Sequence, residues 1–378
     1  MTGTMRTTGL RPEARLLLAL AAPRWGAANA RTAEEWLDVT VPMDWPYFLD
    51  QALCQQVICI VGRNLVRHLP GNKAALPHLW IYSAAYEVNS RRNRSLFVEF
   101  GRILRALKQR QVKYAVRKGP SLCALVYDDP GIRRMSDLDI LIERESLDDA
   151  AEILTDLGYA QGVPSATGDR VVAHERKTEL FWAVHLNNAL PFLKPTSEPE
   201  VRWFEVDLCL DLFQKRSAGS VEVGAVLSRA RPSVICGEPS FALSPLDQLL
   251  DLCLHLYKEA TSYLSITQGR DLNLARFIDV IESIRVTPPA DLDRLPRFVR
   301  DVGAEREVYF ALYHASLLYP GAVAIELLTE LEPPDRGYLD EYGELEGRSR
   351  RWDQGFLNRL FNPDRWMELP GPSSIPTT

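Results

Sequence analysis

The sequence predicts an α+β fold: a small mixed β-sheet flanked by N- and C-terminal helical regions. Three observations predict it. The first hundred residues carry long apolar stretches with few glycines, as amphipathic helices do. At Val112 the pattern changes to short β-branched and aromatic runs bounded by turn signals, as strands do. After Ser217-Ala218-Gly219-Ser220 the helical pattern returns. A chain of 378 residues fits roughly two or three domains of about 150 residues each. The expected division is an N-terminal helical region over 1–110, a sheet-bearing core over 111–216, a C-terminal helical domain over 217–345 and a partly irregular tail over 346–378.

Taken in order, residues 15–30 (RLLLALAAPRWGAANA) faintly resemble a secretory segment. The apolar run is only about seven residues, so a short amphipathic helix is expected and the protein is read as cytoplasmic. Residues 45–69 read as one long helix opened by Pro46 and closed by Pro70-Gly71. A second runs from Pro77 to about Arg110. Residues 112–116 (VKYAV) read as a strand, followed by a Gly119-Pro120-Ser121 turn and a short helix over 121–127. Asp128-Asp129-Pro130-Gly131 marks a turn, and 137–142 (DLDILI) a second strand. Ser146 to Leu157 reads as a helix with a serine cap and Gly158 after it. Leu180–Leu186 and Trp203–Phe213 read as strands, with an exposed Pro-rich loop over 191–200 between them. Helices are then expected over 244–260, 272–284, 300–318 and 322–331, with a frayed end from Pro370 onward.

Composition excludes several classes of function. Hydrophobic residues at 46% and charged residues at 25% belong to a globular chain with a sizeable core. No apolar run approaches the ~18 uncharged residues of a membrane-spanning helix. The formal net charge of −6 argues against a surface that coats nucleic acid. The six cysteines form no CxxC pair, so neither a zinc knuckle nor a disulfide framework is indicated. No P-loop, GxSxG elbow, HExxH or dinucleotide fingerprint occurs.

The informative stretch is 118–142, KGPSLCALVYDDPGIRRMSDLDILI. On a strand, Asp137 and Asp139 point to the same face. Two adjacent carboxylates are costly to ionise together unless a cation lies between them, and such oxygen ligands suit Mg²⁺ with substrate phosphates. Upstream, Gly119 permits close backbone approach, and Ser121 opens a helix whose N–H groups favour an anion. A third carboxylate is expected from 203–213. There Glu205, Asp207, Cys209 and Asp211 share one face, and Phe204, Val206, Leu208 and Leu210 the other. Asp207 is favoured, with Glu205 the runner-up.

Strand, Gly-x-Ser turn, helix, Asp-x-Asp and a later Asp together resemble the DNA polymerase β-like nucleotidyltransferase superfamily. The pattern KG…S…Y…R-x-x-S-D-x-D-I-L-I, followed by a helix ending in Leu-Gly-Tyr, looks like a poorly characterised bacterial branch of it. The resemblance covers roughly residues 43 to 285 and includes the helix 243–258, LSPLDQLLDLCLHLYK. It implies a nucleotidyltransferase core that binds two Mg²⁺ ions through Asp137, Asp139 and Asp207. Lys118, Gly119, Ser121, Arg133 and Ser136 would bind the nucleotide phosphates, and Glu205 is a candidate general base. Two positions depart from the pattern: Cys209-Leu210 stand where members often have His-Trp, and Pro120 lies inside the turn.

Ten basic residues and one acid, Glu99, lie between Arg91 and Lys118. A solvated helix face is the plain explanation of such a run; its position just before the phosphate-binding turn suggests steering of a polyanion instead. Among the histidines, His255 is expected to pack in the core, while His174 and His185 flank expected strands without metal-ligand spacing.

The implied reaction moves an NMP from an NTP, with ATP as the guess, onto a hydroxyl or similar group of a small-molecule, peptide or protein acceptor. A toxin-like enzyme modifying tRNA or protein is a variant of the same reading, RNA being left open and bulk DNA argued against by the acidic charge. The rival class is a non-catalytic nucleotide-binding scaffold, which the Cys209-Leu210 departure favours.

Overall fold

The computed structural model describes residues 9–37, 42–69, 76–127, 129–215, 217–345 and 348–369. The expected helix stop at Pro70-Gly71, Asp128 of the expected turn and the expected frayed end from Pro370 lie outside them. The chain forms two compact units, each discontinuous in sequence. One comprises residues up to Ala84, Leu252–Ile281 and residues from Glu305; the other comprises Ala85–Asp251 and Glu282–Ala304.

The first unit is mainly helical, with helices Pro12–Leu20, Ala27–Leu37, Trp45–Cys54 and Ile58–His68 near its start and one antiparallel strand pair, Glu341–Leu345 with Arg348–Arg351, near its end. Leu16, Leu17 and Leu20 are fully buried, so the apolar run at the N-terminus is core. The single helix expected over 45–69 is two helices. Asp44 caps the first by accepting from the Tyr47 N–H at 3.0 Å, and the break falls at Gln56, with φ of +57°. Tertiary contacts of Gln55 explain it: its Nε2 donates to the Leu360 carbonyl at 2.7 Å, and its Oε1 accepts from the Leu274 N–H at 2.9 Å. A buried amide satisfied at both ends outweighs one more helical turn. Similarly, the helix expected over 300–318 ends at Val302 and restarts at Glu305. Gly303 there takes the left-handed φ of +68°, the common helix stop.

The second unit carries strands β1 (Tyr114–Val116), β2 (Leu138–Ile142), β3 (Ala160–Gln161), β4 (Val163–Pro164), β5 (Val171–Val172), β6 (Phe192–Pro195), β7 (Trp203–Cys209), β8 (Arg231–Ile235) and β9 (Glu238–Ala242). Seven of them form one mixed sheet of order β3-β6-β7-β2-β1-β9-β8, while β4 and β5 pair separately. The expected α+β class with a mixed sheet is thus the observed one. β2 runs parallel to β7 and antiparallel to β1. Helix Leu79–Gln109 presents Leu96, Phe100, Ile103, Leu104 and Leu107, at helical spacing, to one face of the sheet. Leu138, Ile140 and Ile142 of β2 and Phe204, Val206 and Leu208 of β7 join that cluster.

Five local expectations are corrected. Leu180–Leu186 lies in helix Arg176–His185 and its C-cap rather than a strand; this helix buries none of its residues, and short apolar runs fit either period. The loop expected over 191–200 contains β6, whose Phe192 and Leu193 are buried between β3 and β7. β8 and β9 form a hairpin where helix was expected. Its Cys236-Gly237 turn, with φ of +53° and +77°, lacks the usual Asn-Gly signal. The Gly119-Pro120-Ser121 segment lies within helix Lys118–Leu122; Pro120 sits in its first turn, where the missing N–H costs nothing. His255 is half-buried, and the fully packed histidine is His314, edge-on to Phe310 and tilted against Phe356.

Leu104 is fully buried on the long helix. Leu104→Ala is expected to lower the unfolding free energy by about 2–5 kcal/mol, read by denaturant titration with helical content retained.

Candidate active site

The register of two parallel strands builds the site. Asp139 of β2 and Asp207 of β7 are direct partners, so both point to the sheet face away from the long helix. Asp137 precedes Asp139 by two residues and shares that face. One ligand oxygen from each of Asp137, Asp139 and Asp207 lies within 4.8 Å of the others. Glu205 is on the same face, half-buried, outside that cluster. β7 ends at Cys209, so Asp211 belongs to the following turn, where its Oδ1 accepts from the Phe213 N–H at 3.0 Å.

The three aspartates differ electrostatically. Burial and the charge of Asp139 raise Asp137 above the usual carboxylate range, against the lowering by Lys118. Burial also acts to raise Asp139, but the Lys118 ammonium and Arg117 guanidinium outweigh it and hold Asp139 low. Asp207 is pushed up to about 8 by burial and by the charges of Asp139, Asp137 and Glu205. Glu205 is raised by burial, then by Asp137 and Asp139. Cys209, whose Sγ lies 3.9 Å from Asp139 Oδ1, has its thiol pushed up to about 12, chiefly by burial.

Lys118 donates from Nζ to Asp139 Oδ1 at 2.9 Å. Asp207 Oδ1 is buried and has no hydrogen-bond partner among the described residues. A buried carboxylate oxygen without a donor is costly, and three convergent carboxylates are the donor set of a hard divalent cation. The cluster could hold such an ion.

Next to the carboxylates, the turn and the strand entry meet. A Cβ on Gly119 would lie 3.1 Å from the Met135 side chain and 3.2 Å from Arg133 Nη1, so glycine lets the Arg133 guanidinium close onto the turn. Ser136 Oγ donates to Asp137 Oδ1 at 3.2 Å. Ser121 is fully buried, and its hydroxyl donates to Gln248 Oε1 at 3.2 Å. The expected run of basic residues is largely committed to partners: Arg102 bonds Glu99 at 3.2 Å and Arg110 bonds Glu152 at 2.9 Å. Arg105 pairs with Glu238, and Arg117 with Asp251. Those four and Lys118 leave fewer charges for steering a polyanion than the sequence suggests. His174 and His185 join no metal-ligating group among the described residues.

Several supports were not evident in sequence. Arg117, at the end of β1, makes a two-pronged ion pair with Asp251, both side chains being almost wholly buried. Asn89 Nδ2 donates to the Gly131 carbonyl at 2.8 Å. Asn93 Nδ2 donates to the Pro130 and Arg133 carbonyls at 2.6 and 2.7 Å, and Arg92 to the Met135 carbonyl. These residues hold the loop that enters β2. Their only signal is polar spacing: i, i+3, i+4 on the long helix, and Gln248 and Asp251 among the leucines of helix Pro245–Thr261.

Two outcomes follow from this geometry. Asp251→Ala leaves Arg117 buried and unpaired and is expected to cost about 3–5 kcal/mol in chemical denaturation. Because folded Asp207 keeps its proton up to about pH 8 and the unfolded chain loses it near pH 4, folded protein binds more protons in that window. Its unfolding free energy therefore falls as pH rises from about 4 to about 8, with Asp137 and Glu205 contributing the same sign; Asp139, held low, acts in the opposite sense only below about pH 4. Melts across this range should show the slope in metal-free buffer and a shallower one in Asp207→Asn.

No described helix is long and apolar enough to cross a membrane. No curated protein matches the chain. Among solved structures the chain is similar to an antigenic nucleotidyltransferase-like protein from Paracoccidioides brasiliensis, at 17% identity and a TM-score of 0.36, covering 64% of this chain and 93% of that one. Residues 42–320 match the family model described as uncharacterised nucleotidyltransferase, and the chain belongs to that family.

Proposed function

We propose that the protein transfers a nucleoside monophosphate from an NTP to a hydroxyl or similar group of a small-molecule, peptide or protein acceptor, releasing pyrophosphate. The observation that carries this reading is the convergence of Asp137, Asp139 and Asp207, with the buried Asp207 Oδ1 left without a donor. In a chain of a nucleotidyltransferase family, that donor set supports Mg²⁺ as the ion, with the three aspartates as its holders. Bound there, the metal would favour the attacking hydroxyl and neutralise charge on the leaving pyrophosphate.

The chain's own groups take the remaining roles. Gly119 keeps the turn open beside the Arg133 guanidinium, so Arg133, Ser136, Lys118 and the turn's backbone would receive the triphosphate. Ser121, its hydroxyl engaged by Gln248, would act by fixing the shape of the turn. The acceptor oxygen attacks the α-phosphorus, the bond to the β-bridging oxygen breaks, and pyrophosphate leaves with the electron pair. Glu205, whose pKa is raised by burial and by Asp137 and Asp139, suits acceptance of the acceptor's proton.

Calorimetric titration with ATP, GTP, CTP and UTP, with and without Mg²⁺, tests the reading. Metal-dependent binding of at least one nucleotide is expected, lost in the double variant Asp137→Ala/Asp139→Ala. Binding of none of the four would favour the non-catalytic scaffold.

A further inference from the structure

We propose that the Lys118 ammonium is a resident cation of the carboxylate cluster, so that without nucleotide the site takes up one divalent ion and not two. The inference rests on the metal-binding reading above and concerns how the chain divides its positive charge.

Three observations support it. The Lys118 ammonium already occupies one carboxylate oxygen of the cluster, at 2.9 Å from Asp139 Oδ1, with both side chains largely buried. A cation there excludes another from the same oxygen and repels one bound beside it. The local charge also balances with a single ion. Arg117 is matched by Asp251, and Arg133, which faces Asp137 and Asp139, is offset by Glu205. Once a metal has displaced the proton held by Asp207, the three aspartates less Lys118 leave two negative charges, which one divalent ion neutralises. A second ion would meet a neutral site and would have to part Lys118 from Asp139; it becomes favourable only when a nucleotide's phosphates bring further negative charge.

The third observation is conformational. Lys118 has a φ of +47°, a left-handed backbone that costs an L side chain energy glycine escapes. A lysine kept at such a position, on a carboxylate cluster, fits a side chain retained for its charge.

Mn²⁺ alone, without nucleotide, is the probe, titrated into the full chain with the free ion followed by electron paramagnetic resonance. Lys118→Gly suits the left-handed backbone, and Lys118→Met keeps the length without the charge; thermal melts check that each is folded. One Mn²⁺ is expected per wild-type chain and two per chain in both variants, with the first ion bound about tenfold more tightly. Two ions in the wild type, or one ion with unchanged affinity in both variants, overturns the proposal. Asp207→Asn separates the two levels: if wild type binds Mn²⁺ and this variant does not, the metal cluster stands whatever Lys118 does. If wild type and both Lys118 variants bind no Mn²⁺, the cluster reading fails and the Lys118 proposal with it.

Discussion

The parallel pairing of β2 with β7 sets Asp139 directly opposite Asp207, and most of what surrounds the site answers to that juxtaposition. Like charges on neighbouring strands repel, so the pairing persists only because the other face of the same strands is strongly held. Leu138, Ile140, Ile142, Phe204, Val206 and Leu208 are locked against the long helix. A slip of one residue would turn carboxylates into that core. The apolar face therefore fixes the register, and the register assembles the carboxylates.

A second layer of charges makes the arrangement tolerable. Lys118 neutralises part of Asp139, and Arg117 behind it is itself held by Asp251. Asn89, Arg92 and Asn93 take up carbonyls of the loop entering β2, which fixes Arg133 and Ser136 relative to the strand. On the opposite face, buried Glu99 accepts from Lys194 at 2.8 Å and from Tyr159 and Arg102 at 3.2 Å. The basic run before the site is thus largely structural.

The site was legible in sequence wherever it depends on local spacing. Asp137 and Asp139 share a face because side chains alternate along any strand, and Gly119 and Arg133 lie within twenty residues of them. Asp207 could be narrowed only to a choice with Glu205, since both share one face of β7; which approaches the pair depends on strand register, a long-range property. The elements misread, helix Arg176–His185, β6 and the β8–β9 hairpin, are short, and in such segments tertiary partners outweigh local preference.

By itself the sequence determined the α+β class, the long helix, the strand bearing Asp137 and Asp139, and the pattern that resembles nucleotidyltransferases, all of which follow from periodicities of a few residues. Tertiary structure alone decided the break at Gln56, the capture of Ser121 by Gln248, the pairing of Lys118 with Asp139 and the approach of Asp207 to Asp137 and Asp139. Each of these depends on a partner distant in the chain or on geometry that spacing does not encode. The burial that separates the acidities of the three aspartates exists only once those strands are packed.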